Sequence, residues 1–150
     1  MELTGTRIIA ADRATVWAAL NDPEVLKACI PGCQELSGSP EDGFEATVVQ
    51  KVGPVKATFK GAVTLQDVNA PTSYRIVGEG KGGAAGFAKG DAAVTLAEVE
   101  DGTELSYTVD AKIGGKLAQL GSRIVDGFAK KMADKFFEDF KTQVEGSGEA

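Results

Sequence analysis

Between Cys33 and about Ile113 this chain alternates apolar and polar residues, segment after segment, and from Leu117 it changes to one long helical repeat. Phe44, Ala46 and Val48 alternate with Glu45 and Thr47. Ala57, Phe59, Gly61, Val63 and Leu65 alternate with Lys56, Thr58, Lys60 and Thr64, and Leu105 to Ile113 repeats the pattern. A period of two gives each strand one apolar and one wet face, as in an antiparallel meander. Turn residues punctuate the region at Gly38-Ser39-Pro40, Gly53-Pro54, Asn69-Ala70-Pro71 and Asp101-Gly102. Six strands are read here. An opening strand in residues 2–11, with Leu3, Ile8 and Ile9, makes seven.

A sheet with one apolar face must cover that face. Only the segment from Leu117 to Val144 is long enough. Leu120, Ile124, Phe128, Met132, Phe136, Phe140 and Val144 recur at every fourth position, beside a second row of Val125, Ala129, Ala133 and Phe137. One helix of roughly 42 Å is predicted. Four residues turn about 400°, so the row drifts by about 40° per step. A twisted, curved sheet follows such a drift. The fold class is therefore α+β: a curved seven-stranded antiparallel sheet wrapped on a long C-terminal helix, with a cavity expected between them. Residues 1–145 form one domain, and the tail 146–150 is expected to be disordered. Gly121 and Gly127 each cost about 1 kcal/mol in a helix, so close approach or a bend is expected there.

Two short helices follow the first strand. Asp12 is placed to cap Arg13–Leu20, which carries Val16, Trp17 and Leu20 on one face. Asp22 and Pro23 suit the start of a second helix, which the turn Ile30-Pro31-Gly32 ends.

Composition excludes several function classes. The 150 residues carry a net charge of −6, which argues against nucleic acid and against direct docking on anionic lipid. There is no histidine, hence no histidine base and few of the common metal centres. No catalytic residue and no metal ligand is assigned, and the chain is expected not to be an enzyme. Cys29 and Cys33 are spaced C-x-x-x-C, unlike redox or zinc pairs, and are read as reduced thiols. No signal peptide and no membrane-spanning run is visible, so a cytoplasmic location is expected. Gly78 to Gly83 matches G-x-G-x-x-G, but no helix is predicted after it, so it reads as a hairpin and not a phosphate loop.

Asp12 to Leu26, with its V-W-x-x-L helix, leads to Cys29-Ile30-Pro31-Gly32-Cys33. Together with Gly53-Pro54-Val55-Lys56-Ala57, Gly80–Ala93 and Gly121-Ser122-Arg123, this resembles the CoxG family of carbon monoxide dehydrogenase subunits, from the N-terminus to about residue 144. The resemblance implies the helix-grip fold of the START-like SRPBCC superfamily. It implies an accessory role beside a molybdenum hydroxylase of the carbon monoxide dehydrogenase type. Two roles are associated with the family: recruitment of the hydroxylase to the inner membrane face, and binding of a quinone as electron acceptor. Many relatives carry a C-terminal extension with a hydrophobic anchor. None follows residue 145 here, so membrane contact is expected to be transient or through a partner. No covalently bound cofactor is expected.

The leading expectation is a carrier for a hydrophobic small molecule. An assembly or recruitment factor with an incidental cavity is the second reading, and a histidine-free helix-grip cyclase or hydrolase the third. The stripe Leu120, Ile124, Phe128, Met132 and Phe136 reads either as plain core or as a cavity wall, together with Phe59. Tyr74 and Tyr107 are candidates to offer a hydroxyl to a ligand carbonyl. Ile30, Pro31, Gly83 and Phe87 are placed at the cavity mouth, in turn-rich segments suited to a gate. Trp17 is read as a packing anchor and Arg123 as a solvated residue or partner contact.

Overall fold

Alternation along the chain becomes a single seven-stranded antiparallel sheet in the computed structural model, which describes residues 1–148 and their side chains as far as residue 145. The strands are β1 (Glu2–Ile9), β2 (Cys33–Ser39), β3 (Gly43–Val52), β4 (Val55–Asn69), β5 (Ser73–Lys81), β6 (Phe87–Val99) and β7 (Gly102–Gly114). Helices α1 (Arg13–Leu20) and α2 (Pro23–Cys29) lie between β1 and β2, and α3 (Lys116–Gln119) and α4 (Ser122–Gly148) follow β7. The spatial order is β1-β7-β6-β5-β4-β3-β2. Consecutive strands pair as hairpins, and β1 closes on β7 with Gly5 opposite Tyr107. This is the helix-grip arrangement expected from the sequence.

The caps differ from one another. Asp22 accepts a hydrogen bond from the Glu24 amide at 2.9 Å, with Pro23 in the first turn, and so starts α2. Asp12 occupies the cap position of α1 but makes no side-chain bond to the backbone; its carboxylate takes the Thr15 hydroxyl instead.

The expected single helix from Leu117 to Val144 is two helices. Gly121 has φ of +91° and ends α3, a conformation an L side chain adopts only with strain. The chain restarts at Ser122, and α4 continues to Gly148, past the expected end; Glu149 and Ala150 of the expected tail lie outside the described residues.

Burial is uneven along α4. Phe140 and Val144 are buried with Ile9, Val16, Leu20 and Cys29, whereas Ile124 is 43% exposed. The core therefore sits where α1, α2 and the C-terminal half of α4 meet the sheet. We term this the closed end; it includes the β6–β7 turn. Thr103, fully buried there, donates to the Ala11 carbonyl at 2.8 Å. The opposite, open end comprises the β3–β4 and β5–β6 turns, α3 and the start of α4. An ion pair from Arg7 on β1 to Asp134 at 2.6 Å holds the middle of α4 to the sheet edge.

Candidate functional site

Inward-facing residues of β3 to β7 do not all reach α4. The space left between them is a cavity of about 430 Å³, within the usual range of ligand pockets. Leu65, Ile76, Val94, Leu105 and Val109 form its sheet wall. Met132, Ala133, Phe136 and Phe137 of α4 form the opposite wall. Leu20, Leu26, Ile30 and Pro31 close one side. These side chains are apolar because each strand alternates and α4 turns one stripe toward the sheet. A lining of this kind favours an apolar ligand and gives water few partners.

Tyr74 is the exception that gives the cavity polarity. It is 4% exposed, lines the cavity, and its hydroxyl has no hydrogen-bond partner among the described residues. Burial pushes its ionisation well above the ordinary tyrosine range, so it remains a neutral donor. Its ring meets Trp17 edge-on. Tyr107 also lines the cavity but is engaged: its ring stacks on Phe137, 5.2 Å between centres, and its hydroxyl lies over Gly5. Arg7 sits 5.3 Å above the other occupant of that stack, Phe137. Asn21, a further polar lining residue, spends its amide on the Trp17 carbonyl at 2.9 Å.

Of the residues expected from the sequence, Tyr74, Tyr107, Met132 and Phe136 come together on the cavity wall, with Ile30 and Pro31 at its side. The turn carrying Ile30 and Pro31 is pinned to β3: the Gln50 amide donates to the Pro31 carbonyl, and the Val49 amide to the Gly32 carbonyl at 2.9 Å.

Six expected residues lie off the cavity. Phe59 packs beside Gly82 and lines a shallower recess of about 360 Å³ on the same sheet face. Leu120 and Ile124 face the β3–β4 turn at Gly53. Phe128 is half-buried and contributes nothing to the wall. Gly83 is exposed within a 3-10 turn, Gly83–Ala85, and Phe87 points to the outer face with its ring over Gly114. The common reason is the break at Gly121 and the outward lean of α4 from there. The stripe continues in sequence while its first turns leave the sheet. Leu3, Leu36 and Ile76 were not singled out, although the strand alternation already turned them inward.

Both cysteines are free, and burial raises both thiols. Cys29, fully buried, is pushed up to about 11, with Asp139 adding to the effect; Cys33 is raised by burial against the opposing effect of Lys27. Among the described residues no group of three metal-binding side chains comes together, and no helix is long and apolar enough to cross a membrane.

Residues 5–145 match the family described as the carbon monoxide dehydrogenase subunit (CoxG). No curated protein sequence matches the chain. Among solved structures, a conserved protein from Geobacillus kaustophilus is 30% identical, with a TM-score of 0.91 over 98% of this chain and 97% of that one. A protein from Thermus thermophilus shares the fold at 15% identity and a TM-score of 0.72, over 98% and 99% of the two chains. Another from Chromobacterium violaceum does so at 15% and 0.71, over 96% and 97%.

Proposed function

The chain belongs to the CoxG family of carbon monoxide dehydrogenase subunits, and we propose that it is a non-catalytic carrier that holds a quinone in the cavity beneath α4. Family membership makes it an accessory protein associated with carbon monoxide dehydrogenase. The carrier reading adds a cargo and a use for it. The loaded protein delivers a lipophilic electron acceptor to a molybdenum hydroxylase, or recruits that enzyme to the membrane.

One observation carries this reading: an apolar cavity in which a single buried hydroxyl, on Tyr74, is left without a partner. An unpaired buried donor costs about 1–3 kcal/mol, which a ligand acceptor recovers. A quinone matches both features, since its ring and tail are apolar and its carbonyl oxygens accept hydrogen bonds. The protein's own work is then to desolvate the ring, orient one carbonyl toward Tyr74, and shield it from water.

Organic extraction of the purified protein followed by mass spectrometry tests this. A stoichiometric quinone supports the carrier. Titration of the extracted protein with a quinone, read by quenching of Trp17 against Tyr74, supplies the affinity. No lipophile on extraction and no quenching on titration would leave the recruitment role without the carrier.

A further inference from the structure

The net charge of −6 conceals a segregation that only the strand register creates. On the outer face of the sheet Lys51 stands opposite Lys56, Lys60 opposite Lys81, and Lys89 opposite Lys112. All six side chains are exposed, and all six lie toward the open end. Lys116 and Arg123, on α3 and at the start of α4, extend the same basic end. The acids facing it are Glu79, 3.7 Å from Lys81, and Asp126 on α4. Acidic residues gather at the other end: Asp12, Asp22 and Glu24 around α1 and α2, and Glu98, Glu100 and Asp101 at the β6–β7 turn.

Like charges set directly opposite one another across strands destabilise a sheet. Three such lysine pairs at one end are a standing cost that no packing requirement explains. The same end exposes two large apolar side chains, Phe87 at 41% and Ile124 at 43%. The recess containing Phe59 reaches toward it and shares Gly61, Val63, Ile76, Ala92 and Val109 with the main cavity.

We propose that the open end is a docking surface for anionic lipid, with the lysine pairs held against headgroups and Phe87 and Ile124 entering the interface. Cations encircling a few exposed apolar side chains are the chemistry of an interfacial membrane contact. An acidic protein surface would match the lysines but would leave Phe87 and Ile124 without hydrocarbon. The inference goes beyond the carrier reading and does not require an occupied cavity. It also replaces the expectation, drawn from net charge alone, that anionic lipid is avoided.

The test is co-sedimentation with phosphatidylcholine vesicles with and without phosphatidylglycerol, at low and high salt. Wild type is expected to bind only the anionic vesicles, and to be released by salt. The variant Lys51→Glu/Lys112→Glu turns two repelling pairs into attracting ones. It is expected to unfold at a slightly higher denaturant concentration, yet to bind on the order of thirtyfold less tightly. Lys135→Glu/Lys141→Glu makes the same change in net charge further along α4 and should bind nearly as wild type. No binding of wild type to anionic vesicles at low salt overturns the proposal. So does equal loss in both double variants, which would reduce the effect to net charge. Binding to an acidic protein partner without vesicle binding would assign the surface to that partner and overturn it as well.

Discussion

Trp17 and Tyr74 meet edge-on, with ring centres 5.0 Å apart and planes at 75°. Trp17 belongs to α1 and Tyr74 to β5, so the contact joins the short helices to the middle of the sheet. It also places the only tryptophan of the chain beside the unpartnered hydroxyl of the cavity.

Tyr74→Phe therefore separates stability from binding. Removing a buried hydroxyl that bonds to nothing should leave unfolding free energy unchanged or raise it by up to about 1 kcal/mol. Quinone affinity, read from Trp17 fluorescence, should fall about fivefold. A large loss of stability in urea unfolding would mean that the hydroxyl has a partner in the folded protein.

Positions along α4 should respond in proportion to how completely they are packed. Phe140 is fully buried, and Phe140→Ala should cost about 3–5 kcal/mol. Met132 and Phe136 are partly buried and border the cavity, so truncation to Ala should cost less at each while changing quinone binding. Denaturant unfolding paired with fluorescence titration measures both. Equal costs at all three positions would show a filled core where the cavity is described.

The two glycines of the C-terminal segment should behave oppositely. Gly127 lies inside α4, and a methyl group there would meet nothing within 4 Å, so Gly127→Ala should stabilise by about 0.5–1 kcal/mol. Gly121 has a positive φ, so Gly121→Ala should destabilise by about 1 kcal/mol or more. Urea midpoints for the pair decide this.

The thiols should differ in accessibility and leave a pH signature. Cys33 should react first with a thiol reagent, and Cys29 only when the chain opens. The folded state holds the Cys29 proton up to about 11, against an ordinary thiol value of 9.0. Its contribution to stability is therefore complete below that ordinary value and is lost as pH rises toward the folded one. The fall in urea midpoint across that interval should be shallower in Cys29→Ala than in wild type.

Sequence period carried far into this molecule. The alternation in β4 and β7 already assigned Val63, Leu65, Leu105 and Tyr107 to one face, and the structure puts that face toward α4. The i+4 row identified the covering helix and placed Met132 and Phe136 on its inner side. It failed at Leu120, Ile124 and Phe128, because a periodic stripe says which residues share a face, not where the helix axis leaves the sheet. Gly121 was visible as a costly residue, but the sign of its φ was not, and that sign breaks the helix.

By itself the sequence determined the period-two strands, their number, the covering helix and the apolar character of one sheet face. Each follows from local spacing and the need to bury apolar surface. Tertiary structure alone decided three things. It left a cavity, because the sheet's curvature and the lean of α4 set a gap that no local pattern encodes. It isolated the Tyr74 hydroxyl, because whether a donor finds a partner depends on which distant groups surround it. It also gathered the lysines, because charge adds along a chain without regard to position, whereas strand register sets Lys51 against Lys56 and Lys89 against Lys112 and so turns an acidic composition into a molecule with a basic end.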